Sequence, residues 1–233
     1  TAKIVKTVVG PDPASINLAW RTAGEGTSDA DLGDLMAAIL YNGTAGLMDI
    51  NLNQAQKVLN SNNIFYVLKD YAMFGMTGEP KEGQSLEEVE QLLLGQIELV
   101  KKGEFPEWLL QAVITDLKLR KTKELEQNGS RAYEMLDAFV NNIKWQKAVD
   151  RIERLSKITK KEIVDFANKN FTNSNYVVVY KKTGDNVPTE KVVKPAITPV
   201  EVDRNHSSKF VQNVNASVQS KIDPKFLNYE KNI

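Results

Sequence analysis

His206 is the single histidine of this 233-residue chain, and there is no cysteine. A protein metal site needs three or four ligands, so His206 could join only a carboxylate-rich site; its setting in a proline-broken tail reads first as a solvated linker position. A Ser-His-Asp arrangement would have to use the same histidine, and no G-x-S-x-G turn accompanies it. Without cysteine, disulfides, thiolate catalysis and cysteine-based metal sites are excluded. No Walker loop is present, and no G-x-G-x-x-G follows a strand. The carboxylates sit in ordinary settings. Glu87, Glu88 and Glu90 stand at a helix start, where the dipole favours them, and Glu124 and Glu126 alternate with lysines on an exposed helix; all five read as solvated. Asp29 and Asp31 read as capping residues. Of the tryptophans, Trp20 and Trp108 fall at apolar spacing and read as core, while Trp145 is left as a candidate surface residue. Arg131 and Tyr133, just after a helix break, form the polar pair hardest to dismiss; an interhelical hydrogen bond is the preferred reading. The residues of this chain therefore provide no catalytic, cofactor-binding or metal site.

The elements carrying these residues read as a soluble α+β domain. Lysine plus arginine (30) balance aspartate plus glutamate (30), which offers no basic excess for nucleic acid or an anionic membrane. No apolar run approaches the roughly 20 residues that span a bilayer. The chain begins at Thr1 rather than Met, and is expected to be a processed chain or a piece of something longer. Ile4 to Val9 and the Gly10–Pro13 turn lead into a strand at Ile16–Thr22, where Ile16, Leu18 and Trp20 alternate with Asn17, Ala19 and Arg21. Ser28 or Asp29 caps a helix through Leu32, Leu35, Met36, Ile39 and Leu40, and a weaker helix is expected from Ala45 to about Leu52. Ile64–Leu68 and Tyr71–Met76 read as a hairpin.

The run from Ser85 to Val140 reads as three successive helices. Ser85 and Glu88 form a capping box. Leu86, Val89, Leu93, Ile97 and Val100 make an apolar face, and Gly103 ends the helix. Pro106 suits the first turn of the second helix, whose buried face is expected at Trp108, Leu109, Ala112, Val113 and Leu117. Gly129 breaks that helix and Ser130 restarts it, with Tyr133, Leu136, Phe139 and Val140 as the third face. Trp145–Leu155 reads as helical, Thr159 and Glu162 form another capping box, and Tyr176–Tyr180 is β-branched and aromatic throughout, hence a strand inside the sheet. The expected architecture is a mostly antiparallel sheet with a layer of helices on one face. Residues 1–182 form the packed domain. Residues 183–233, interrupted by Pro188, Pro195, Pro199 and Pro224, read as an extended linker or arm, with a short helix near Ser207–Val214.

The order of these parts resembles the non-catalytic second domain of the insulinase/pitrilysin zinc metallopeptidases, a family that includes mitochondrial processing peptidase. The resemblance runs over Ile16–Gly24, Leu32–Asn42, Gly43–Leu52, the joint Lys102–Leu109, the break Asn128–Ala132, and Ile152–Phe171 with the final strand at Tyr176. It rests on order and spacing rather than on one invariant motif. It implies an inverzincin half-domain. The family's inverted H-x-x-E-H motif holds zinc, and there the metal-bound water attacks the peptide with a glutamate as general base. That motif lies in another domain and is absent here. In the opposite half of such enzymes, an Arg and a Tyr seven residues on contact substrate; the matching positions here are Asn51 and Val58. The resemblance thus implies a substrate-chamber domain of a zinc-dependent metalloendopeptidase, inactive alone. Its partners would be the catalytic domain, the second half of the parent chain and the parent's peptide substrate. Zinc would belong to the parent, and 183–233 would be the linker between halves. The alternative is a non-enzymatic structural or binding subunit of the same fold. The resemblance is compatible with a bacterial periplasm or envelope, which no residue establishes.

Overall fold

The strand expected around Ile16 is Ser15–Ala23 (β2), and its side chains alternate between buried and outward positions along its whole length. A computed structural model describes residues 2–185, 193–200, 203 and 206–217. The chain divides into two compact units, Thr1–Thr189 and Glu190–Ile233. In the first, β2 pairs antiparallel with Tyr71–Glu79 (β4) and with Tyr176–Thr183 (β5). Asn60–Val67 (β3) adds antiparallel to β4, completing the expected hairpin over a longer span. Ile4–Gly10 (β1) is a fifth strand, and it runs parallel to β5. The sheet order is β1-β5-β2-β4-β3. The sheet is thus mostly antiparallel, as expected, and a parallel strand at one edge makes it mixed.

The helices cover the face that carries Ile16, Leu18, Trp20, Phe74, Met76 and Val178, all buried. Ser28–Leu40 (α1) is capped by Thr27, whose side chain accepts from the Ala30 amide at 3.3 Å. The cap is therefore one residue before the expected Ser28 or Asp29. Asp29 and Asp31 are ion-pair partners instead: Asp29 meets Lys169 at 3.3 Å, and Asp31 meets Arg151 and Arg154. Gly33 lets α1 lie against β3, because a Cβ there would stand 2.3 Å from the Phe65 ring. The weak helix expected from Ala45 is a π-helical turn, Asp49–Gln54. Leu86–Lys101 (α2) has the Ser85/Glu88 capping box and buries all five expected apolar residues. Gly103 ends it at φ +70°, a left-handed conformation that glycine adopts without steric cost.

Glu107–Glu124 (α3) buries Leu109, Leu110, Val113 and Ile114. Trp108, expected in the core, is 58% exposed, and Ala112 also faces out. The helical phase is rotated from the expected one because Leu110 and Ile114, rather than Trp108 and Ala112, complete the inward face. Asn128–Val140 (α4) runs through Gly129. Its expected apolar face is uncovered: Tyr133 is 74% and Phe139 84% exposed, and Ala138 is its one buried residue. The opposite side of α4 faces α3, where Lys121 pairs with Glu134 at 2.8 Å. Trp145–Val149 (α5) and Arg151–Leu155 (α6) replace the single helix expected there. Lys160–Asn170 (α7) carries the Thr159/Glu162 capping box. In the second unit Lys209–Ser217 (α8) stands where a short helix was expected. Most of the expected linker, residues 186–192, 201–202, 204–205 and 218–233, lies outside the described residues.

Glu90 departs most sharply from its solvated reading. It is 2% exposed. Its Oε1 accepts from Lys3 Nζ at 2.6 Å and from the Tyr176 hydroxyl at 2.7 Å, and its Oε2 accepts from the Tyr180 hydroxyl. Burial alone would raise this carboxyl, but the bonds from Lys3, Tyr180 and Tyr176 outweigh it and hold the pKa below the ordinary value. Burial, reinforced by Glu90, pushes the Tyr180 hydroxyl up to about 12. Glu90→Ala would leave two tyrosine hydroxyls and an ammonium without their acceptor, at a cost of about 3 kcal/mol. Because the folded carboxyl titrates below its unfolded value of about 4.3, its contribution is complete above that pH and is lost as pH falls through the folded pKa. Urea unfolding is expected to show a wide gap between native chain and Glu90→Ala at about pH 7 and a narrower one at about pH 3. Equal gaps would contradict this assignment.

Candidate functional site

Strand pairing fixes which residues share the face opposite the helices. Ile4, Lys6 and Val8 of β1 stand beside Val177, Val179 and Lys181 of β5. Asn17 and Ala19 of β2 stand between Val179 and Val177 on one side and Thr77 and Gly75 of β4 on the other. Arg21 faces Met73, while Ile64 and Tyr66 of β3 face Gly75 and Met73. Ile4, Val8, Ile64, Tyr66, Tyr71 and Met73 are all exposed. An antiparallel sheet with one solvated face ordinarily carries polar residues there. This one carries isoleucine, valine, methionine and tyrosine beside a polar patch of Lys6, Asn17, Thr77 and Asn62. Contiguous exposed apolar surface of this kind marks a binding or docking face.

The charged residues that pairing puts on that face are Lys6, Lys181, Arg21 and Glu79. Lys181 is engaged by Asp12 and by the Asp12 and Pro13 carbonyls. Glu79 lies at the far end of β4, opposite Asn60. Arg21 stands among the aromatic and apolar side chains, its guanidinium 4.6 Å from the centre of the Tyr71 ring. Such stacking orients a cation at a partly desolvated surface.

Other concavities carry no arranged chemistry. A cleft of about 530 Å³ between α3, α4 and α5–α6 has Leu117, Leu125, Met135, Trp145, Val149 and Ile152 among its walls. Three of its cations have local carboxylate partners: Arg120 with Asp116, Lys121 with Glu134, and Arg151 with Asp34 at 2.7 Å. Arg131 donates to the Leu125 and Glu126 carbonyls at the end of α3, a helix-to-helix contact in which Tyr133 takes no part. Among the described residues no group of three or more His, Cys, Asp or Glu could hold a metal ion, and His206 is exposed in the second unit. Asn51 donates to Gln96 Oε1 at 2.9 Å and Val58 is buried, so neither reaches out towards a ligand. No helix among the described residues is long and apolar enough to cross a membrane.

No family model and no curated protein matches the sequence. Solved structures do. A protease from Helicobacter pylori superposes with TM-score 0.73 at 17% identity, over 78% of this chain and 44% of that one. A peptidase M16 inactive domain from Pseudomonas fluorescens gives TM-score 0.66 at 14% identity, over 80% of this chain and 45% of that one. The inactive peptidase domain of a candidate zinc protease from Bordetella parapertussis gives TM-score 0.66 at 14% identity, covering 81% of this chain and 97% of that domain. The chain has the fold of an M16-like inactive peptidase domain. It spans less than half of the Helicobacter and Pseudomonas chains. The expected half-domain architecture is thus the observed one.

Sequence reasoning found the inward residues of β2 but gave its outward ones no role. Ala19 and Arg21 are unremarkable until pairing puts them in the rows that carry Ile64, Met73 and Tyr66. If the face is free in this chain, Ile64→Lys and Met73→Lys should change thermal stability by no more than about 0.5 kcal/mol. Phe74→Ala, one residue on and pointing into the core, should cost about 3–5 kcal/mol. Comparable losses for all three in thermal melting would show that the outward face is packed after all.

Proposed function

We propose that this chain is a non-catalytic domain of a zinc-dependent peptidase and that its uncovered sheet face forms part of the wall of a peptide chamber. The observation that carries this reading is the run of outward Ile64, Tyr66, Tyr71 and Met73, on a fold shared with inactive peptidase domains. An extended peptide presents alternating side chains and a flat apolar aspect, and a broad β-surface of valine, isoleucine and tyrosine suits it. Zinc, held in a separate catalytic domain, would supply the activated water. The present domain would contribute shape, apolar contact and support.

The intact parent protein should hydrolyse peptides in a chelator-sensitive way and carry zinc, while the 233-residue chain alone should do neither. Metal analysis and a peptidase assay on both forms check this. Tight one-to-one zinc uptake by the isolated chain would overturn the reading. An intact parent inactive with and without chelator would favour a non-enzymatic structural subunit of the same fold.

A further inference from the structure

We infer that Arg21, stacked on Tyr71, is a carboxylate anchor on the uncovered sheet face, so that the peptides held there are extended apolar segments bearing an acidic side chain. The inference rests on the chamber-wall reading and adds a ligand class to it. Arg21 lies on β2, the middle strand, just beyond its last pairing with β5, which is Trp20 with Tyr176. β2 has no strand neighbour on the β5 side at Arg21, while Met73 and then Tyr66 stand across the strands on the other side and Tyr71 stacks on the guanidinium. Among the described residues it makes no ion pair with a carboxylate. The other arginines of the first unit behave differently: Arg120, Arg151 and Arg154 all pair with aspartates, and Arg131 is tied to carbonyls. The acidic residue that pairing puts on this face, Glu79, is at the opposite end of β4.

A planar, always-charged group with five donors, oriented by an aromatic ring and lacking an anionic partner, is suited to a bidentate carboxylate. The surrounding apolar side chains lower the local dielectric and strengthen that pairing relative to bulk water. They also accept the apolar residues on either side of the acid. Strand spacing supports the same ligand geometry. Side chains two apart on an extended peptide point to one face about 6.6 Å apart, the repeat that Ala19 and Arg21 follow on β2. An acidic residue flanked at alternate positions by valine or isoleucine, running along β2, would place its carboxylate on Arg21 and its neighbours over Ala19 and Ala23, with Met73 alongside.

The test uses the 233-residue chain and two fluorescein-labelled extended peptides of alternating Val and Thr, identical except for a central Glu or Gln. Fluorescence anisotropy should show the Glu peptide bound about five- to tenfold more tightly. Arg21→Met should abolish that preference while leaving the Gln peptide's affinity within about twofold, Arg21→Lys should restore part of it, and Tyr71→Leu should reduce it. Circular dichroism checks that each variant is folded. Equal binding of both peptides to the native chain overturns the carboxylate assignment and leaves the chamber-wall reading standing. Absence of binding by either peptide at millimolar concentration overturns both.

Discussion

In the first unit, a sheet clothed by the described residues on one side only is the constraint on which the rest of this structure depends. Five strands present two broad faces, and the described helices of the first unit pack against one of them. On that side Trp20, Phe74, Phe166, Phe171 and Tyr176 form a continuous aromatic cluster, with ring centroids 4.9–5.8 Å apart. Contacts in this range contribute beyond simple burial. The same geometry forces every second residue of β2, β4 and β5 outward. When those residues are Val177, Val179 and Met73, with Ile64 of β3 beside them, rather than charged ones, stability of the isolated domain does not account for them. The proposed chamber wall does.

Glu90 connects the covered side to the edge. It projects from α2 and joins Lys3, just before β1, to Tyr176 and Tyr180 on β5. β1 has little else to hold it: six of its seven residues are exposed, and its one strand partner is β5. A buried carboxylate costs desolvation, and three donors are what make its burial tolerable. The parallel edge strand is thus fastened by a polar cluster, in contrast to the apolar packing of β2 and β4.

Much of this was legible from residue pattern, and the exceptions have physical reasons. Ser85, Glu88, Thr159 and Glu162 act locally, through hydrogen bonds within three residues, so their capping boxes could be read directly. Period-two alternation gave β2, and period-three-four spacing gave α1 and α2. Glu90 was misread because its partners lie 86–90 residues away, and a capping-rich helix start looks solvated whichever way each glutamate points. Trp108 and the α4 stripe were misread because apolar spacing predicts a face without saying whether anything covers it. The outward apolar face was harder still. Arg21, Met73 and Tyr66 come from three strands, and pairing register alone brings them together.

In the proposed reading this domain contributes a surface, with apolar strands outward and an aromatic-backed arginine among them. The exposed α4 stripe supplies an internal comparison, since it is apolar and aromatic but belongs to a different side of the domain. Hydroxyl-radical footprinting, with and without saturating extended apolar peptide, distinguishes the two directly. The account predicts that peptide shields Tyr66, Tyr71 and Met73 while Tyr133 and Phe139 stay as reactive as before. Shielding of Tyr133 and Phe139 with the sheet residues unchanged would contradict it.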